Sequence, residues 1–137
     1  MKHAAQWLTL IMLVAVFFRF WDLRNTPPGL WADEAINGVN ALIDLEAAPP
    51  AGGWKVFYPE NFGREGLFIN IQAVFVKLLG TEPWVLRLPA AIFGLLTVLG
   101  LYLMARELFG ERVALFSAFF LATSFWHIMF SRIGFRA

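Results

Sequence analysis

Asp33 and Glu34 are adjacent carboxylates placed directly after the breaker Pro27-Pro28-Gly29 and directly before an amphipathic run. Proline removes an amide donor and glycine admits backbone shapes other residues avoid, so a preceding helix ends there. From Ala35 to Ala47, Ile36, Val39, Leu42 and Ile43 recur at helical spacing, while Asn37, Asn40, Asp44 and Glu46 take other faces. The acidic pair therefore opens a helix. Free amides and the macrodipole there favour the ionised form and hold a carboxylate in a fixed direction. An ordinary helix cap uses the same residues, so chemistry depends on what gathers around them.

Five further side chains have chemical potential. Gly63-Arg64-Glu65-Gly66 is a turn before an apolar helix, and its Arg64 and Glu65 matter if they meet Asp33 and Glu34. His127 is the one titratable side chain between Val113 and Ser131, and an intramembrane histidine is either functional or merely wetted near the interface. Arg132 and Arg136 fall about one turn apart if the helix continues, which suits bidentate binding of a lipid phosphate or plain interfacial anchoring. Carboxylates with a histidine can bind a divalent cation, with Glu34 and Glu65 as candidate ligands, but irregular spacing leaves the metal undecided.

The elements that must position these groups are membrane helices. Hydrophobic residues make up 59% of the 137-residue chain, aromatic residues 17% and charged residues 15%, which is too apolar for a soluble domain of this size. Eleven basic and ten acidic side chains leave a net charge of +1, so overall charge calls for no nucleic-acid partner. With no cysteine there is neither a disulfide framework nor a thiolate metal site. The apolar N-terminus continues into Arg19, Trp21 and Asp22 without a small-residue cleavage site, so it reads as a retained signal-anchor.

The pattern predicts an all-α membrane protein of one unit with three spans. Residues 4–22 form span one, with Arg19 snorkelling to the interface. Residues 23–87 form a long extracytoplasmic loop holding amphipathic juxtamembrane helices at 33–47 and 66–80, the second too short at roughly 22 Å to cross a ~30 Å core. Residues 88–106 form span two, 107–112 a turn with Arg106 and Arg112 at its edges, 113–131 span three, and 132–137 the start of a second outer loop. The basic turn belongs inside by charge bias, which places the N-terminus inside and the loop outside. Every unusual polar group then lies on the outer side. Ser117, Ser124, His127 and Ser131 are expected to share one face of span three.

The order of these features resembles the N-terminal part of a GT-C superfamily membrane glycosyltransferase, the group of protein O-mannosyltransferases and lipid A aminoarabinose transferases. The resemblance is carried by Trp21-Asp22-Leu23, by Pro28-Gly29-Leu30-Trp31-Ala32-Asp33-Glu34-Ala35, and by Tyr58-Pro59-Glu60-Asn61-Phe62-Gly63-Arg64-Glu65-Gly66. It continues through Trp84-Val85-Leu86-Arg87-Leu88-Pro89 and Phe130-Ser131-Arg132-Ile133-Gly134-Phe135-Arg136, closest to bacterial members. The resemblance implies transfer of a sugar from a polyprenyl-phosphate donor to a protein or lipid acceptor on the outer face of a bacterial plasma membrane. By it Asp33 matches the catalytic aspartate of the first loop, Glu34 is its motif partner, and Glu65 falls where related enzymes carry a site glutamate. Arg64, His127, Arg132 and Arg136 would bind substrate, among membrane lipids and the remaining spans of a longer enzyme. The second reading is a non-catalytic membrane scaffold or lipid-binding subunit, or an inactive truncated piece.

Overall fold

The computed structural model describes residues 2–48 and 52–134; Pro49 and Pro50 of the irregular segment, and Phe135 and Arg136, lie outside them. Among the described residues six α-helices form, in the order α1 (Lys2–Phe20), α2 (Ala32–Glu46), α3 (Gly66–Leu79), α4 (Pro83–Phe109), α5 (Glu111–Thr123) and α6 (Phe125–Ser131). Between α2 and α3 a two-stranded hairpin pairs β1 (Phe57–Tyr58) antiparallel with β2 (Arg64–Glu65), with Tyr58 opposite Arg64. The chain is mostly helical, as expected of an all-α class, with this short hairpin added between α2 and α3. A 3₁₀ turn at Pro59–Asn61 and left-handed backbone at Phe62 reverse the chain within it.

α1, α4 and α5 each pack against the other two. Their core is Ile11 and Ala15 of α1, Val98, Tyr102 and Ala105 of α4, and Ala114, Ala118 and Ala122 of α5. The alanines recur every fourth residue, so one small-residue stripe lets the backbones approach closely, the usual means of helix association in lipid. This corrects the expected inward face of span three, because Ser117 is only partly buried beside that stripe. Outward-facing Trp7, Leu13, Phe116 and Phe120 are exposed, as lipid contact requires.

Two helices are long and apolar enough to cross a membrane, and α5 with α6 makes a third if the bent pair is one span. The uninterrupted span three expected over 113–131 is therefore broken, with a 61° bend at Ser124. No proline lies there; Thr123 Oγ1 turns back onto the Phe119 carbonyl at 2.9 Å, and Ser124 adopts extended backbone. α4 starts before the span expected from 88, and its 27 residues reach about 40 Å at 1.5 Å each, more than a ~30 Å apolar core requires. The turn expected over 107–112 shrinks to Gly110 between α4 and α5.

α2 turns its polar residues inward. Glu34, Asn37, Gly38, Asn40 and Ala41 are buried, whereas Val39, Ile43 and Leu45 are exposed. Packed beside α3, α2 covers a buried polar layer of Asn61, Asn70, Gln72 and Arg87, and its apolar face is left outward.

Candidate active site

The site is built on the first turn of α2. Trp31 occupies the N-cap position and Asp33 and Glu34 follow in the first turn, where neighbouring residues point about 100° apart around the axis. That angle sends the two carboxylates to different environments.

Glu34 points into the protein and is fully buried. Its Oε1 accepts from Arg87 Nε at 2.9 Å and from the Gly134 amide at 2.7 Å, while Oε2 accepts from the Trp31 amide at 3.2 Å. Arg87, equally buried, donates its remaining N–H groups to the carbonyls of Leu23 at 3.5 Å, Pro27 at 2.8 Å and Gly29. One ion pair thus joins the loop before α2, the first turn of α2, the start of α4 and the segment after α6. Gln72 of α3 closes the same knot, donating to Leu86 O at 2.9 Å and Gly134 O at 2.7 Å. Gly134 must be small here, because a Cβ would lie 2.6 Å from the Leu86 carbonyl oxygen and 2.9 Å from Glu34 Oε1.

Asp33 faces outward. Its Oδ1 accepts from Arg64 Nη2 at 2.7 Å, and the two side chains are 45% and 28% exposed, so the carboxylate is oriented yet reachable. The hairpin brings Arg64 there. Its base is anchored by Tyr58, whose hydroxyl donates to Asp44 of α2 and lies 3.0 Å from Asn70 Oδ1 of α3. Burial, then the Asp44 carboxylate, push the Tyr58 phenol well above its ordinary range, so it stays a donor. Lys55 adds ion pairs to Glu60 at 3.0 Å and Asp44 at 3.9 Å, and Asn61 donates to Asn37 at 3.0 Å. Glu65 follows Arg64 on β2, exposed, as the N-cap residue of α3.

The groups from the third apolar segment divide. Helix α6 stops at Ser131 and Arg132 lies in a turn; Arg136, and with it the expected one-turn spacing of the pair, lies outside the described residues. Arg132 donates to the carbonyls of Phe18 and Thr26, both at 2.8 Å. It therefore holds the same loop that Arg87 holds from the other side. His127 Nδ1 meets the guanidinium of Arg19 at 2.7 Å. Arg19 does not snorkel: it is completely buried and also donates to the carbonyls of Ala15, Ala122 and Leu121. Among the described residues no cluster of three or more His, Cys, Asp or Glu side chains could hold a metal ion, and Glu34, one candidate ligand, already has both oxygens engaged.

Sequence reasoning missed Arg87 and Arg19 as organising residues. Each was visible as a lone arginine at the mouth of an apolar helix, a position where a charge needs a partner. The arrangement can present one fixed, solvent-reachable carboxylate beside a guanidinium, next to a loop held by Arg87 of α4 and Arg132 of the turn after α6.

Over residues 67–135, about half of the chain, the sequence matches the family described as dolichyl-phosphate-mannose-protein mannosyltransferase. It is also 34% identical over 134 residues to dolichyl-phosphooligosaccharide-protein glycotransferase 2 of Pyrococcus horikoshii, an alignment covering 88% of this chain and 17% of that relative. The chain therefore spans under a fifth of the relative's length. No solved structure matches it at a significant level.

Proposed function

Because the chain belongs to the dolichyl-phosphate-mannose-protein mannosyltransferase family of GT-C membrane glycosyltransferases, we propose that it carries the first outer loop and catalytic carboxylate of an enzyme that moves a sugar from a polyprenyl-phosphate donor to a protein or lipid acceptor. The observation that carries this reading is the contrast within the acidic pair: Asp33 is oriented by Arg64 and half open, while Glu34 is enclosed. An acceptor hydroxyl or amide is a poor nucleophile. A carboxylate fixed beside it takes its proton as the bond to the anomeric carbon forms and the lipid phosphate departs. The α2 N-terminus and Arg64 fix the carboxylate in direction, so Asp33 acts through placement. Arg64 orients Asp33, Glu34 and Arg87 hold the loop rigid, and Glu65 and His127 lie on the substrate side. Arg132 holds loop carbonyls in this arrangement and serves the donor phosphate only by exchanging them.

The relative's name joins an oligosaccharide on a dolichyl phosphate to a protein acceptor, which favours testing an oligosaccharide-bearing donor beside a single-sugar one. The loop with α2, the hairpin and α3 faces outward, and Gly110 faces inward. The test is sugar transfer by the full-length protein in liposomes from each polyprenyl-phosphate donor. Asp33→Asn keeps shape and removes proton acceptance, so transfer should fall at least ~100-fold while the fold survives. Near-native transfer would reduce the acidic pair to a helix cap.

A further inference from the structure

We propose that Arg19 is a positioning residue that locks His127 in the tautomer with its proton on Nε2, and that the same guanidinium holds the break in the third apolar segment. A guanidinium has N–H donors only and stays charged in proteins, so the ring nitrogen it approaches at 2.7 Å must offer a lone pair. Nδ1 is therefore unprotonated. Ser131 does not compete for that lone pair, because its hydroxyl donates to the His127 carbonyl at 2.6 Å and stands 3.4 Å from Nδ1. An imidazolium would place two donors head-on. His127 is thus neutral, and its one N–H, at Nε2, is free to serve as a donor rather than a base.

The cost of burying Arg19 shows why the break sits where it does. The guanidinium is completely buried, its Nε has no hydrogen-bond partner, and no carboxylate pairs with it among the described residues. A charge there persists only with good acceptors around it. The bend at Ser124 supplies them, since a helix end leaves carbonyls without their own amides. Arg19 takes one of these, Ala122 O at 3.2 Å, shares Leu121 O at 3.4 Å with the Ser124 amide, and adds Ala15 O of its own helix at 3.1 Å. α4 leaves the room: a Cβ on Gly94 would stand 2.1 Å from Ser131 Oγ and 3.3 Å from Arg19 Nε. Charge, bend and histidine tautomer are one device.

The donor at Nε2 suits an oxygen anion, and the lipid-phosphate donor of the proposed reaction is the ligand of that class; this step alone rests on that reading. The tautomer is read without it, by nitrogen NMR of the full-length protein labelled with ¹⁵N-histidine in liposomes, where the signals that vanish in His127→Asn belong to His127. At neutral pH they should show an unprotonated Nδ1 and a protonated Nε2, and Arg19→Met should bring in the second tautomer. A protonated Nδ1 in the native protein overturns the proposal. Two substitutions separate structure from function whether or not Arg19→Met folds. Asn places an acceptor oxygen where Nδ1 stands, so His127→Asn should keep the native melting temperature yet lose about tenfold in transfer, the worth of one hydrogen bond to a charged group. Gln places an amide N–H where Nε2 stands, so His127→Gln should melt earlier and retain more transfer than His127→Asn. The reverse order in either measurement overturns the assignment. Were the wild-type protein to transfer no sugar, the proposed function would fail while the nitrogen spectrum still decided the tautomer.

Discussion

Asp33 and Glu34 are neighbours in sequence and opposites in environment. Glu34 is sealed in an ion pair with Arg87, with side chains 0% and 1% exposed, and its oxygens also take two backbone amides. Asp33 pairs with Arg64 at almost the same distance, yet both side chains meet solvent. Equal contact lengths therefore conceal unequal roles. In the buried pair, losing one partner strands a charge with no water to solvate it, whereas in the open pair water replaces whatever is lost. In the proposed reaction the first pair positions and the second does the chemistry.

The largest effect should come from breaking the buried pair. Arg87→Gln leaves the Glu34 carboxylate enclosed and releases the carbonyls of Pro27 and Gly29, at a cost of about 3–5 kcal/mol. Thermal melting in detergent should show it, and the double substitution Glu34→Gln with Arg87→Gln should recover part of the loss. Additive losses would mean the two side chains act independently. Asp33→Asn should do the reverse, lowering transfer at least ~100-fold with melting nearly unchanged. A large drop in its melting temperature would erase the contrast between the two acids.

Arg64→Gln tests the open pair more gently. Exposed pairs contribute about 0–1 kcal/mol, so stability should hardly move, while transfer should fall severalfold as Asp33 loses its orienting partner. The smallest perturbation checks the side of the membrane on which both pairs stand. Single cysteines replacing Trp54, in the hairpin approach, and Glu107, near the opposite end of α4, are both well exposed. In intact cells a membrane-impermeant thiol reagent should label the first and spare the second. Labelling of the Glu107 site alone would turn the proposed arrangement over.

Much of this was written in local pattern. Apolar length announced the long helices, and Pro27, Pro28 and Gly29 announced a helix break followed by a carboxylate-bearing first turn, because span length and helix termini depend on neighbours in the chain. The family resemblance was likewise legible, and the family match falls on residues 67–135. Periodicity did not say which face of α2 turns inward: in a membrane setting the apolar face of a helix goes outward, and here Asn37 and Asn40 are buried while Val39 and Ile43 are not. Nor could it pair Glu34 with Arg87 across 53 positions or Arg19 with His127 across 108, since such partners are chosen by the packing of separate helices. The bend at Ser124 is of the same kind. Its local residues permit a break, but the buried guanidinium that donates to the Ala122 and Leu121 carbonyls comes from the other end of the chain. The sequence by itself determined which segments are helical and where charges must find partners; only the tertiary structure decided which partners they found, because desolvation penalises every unpaired choice.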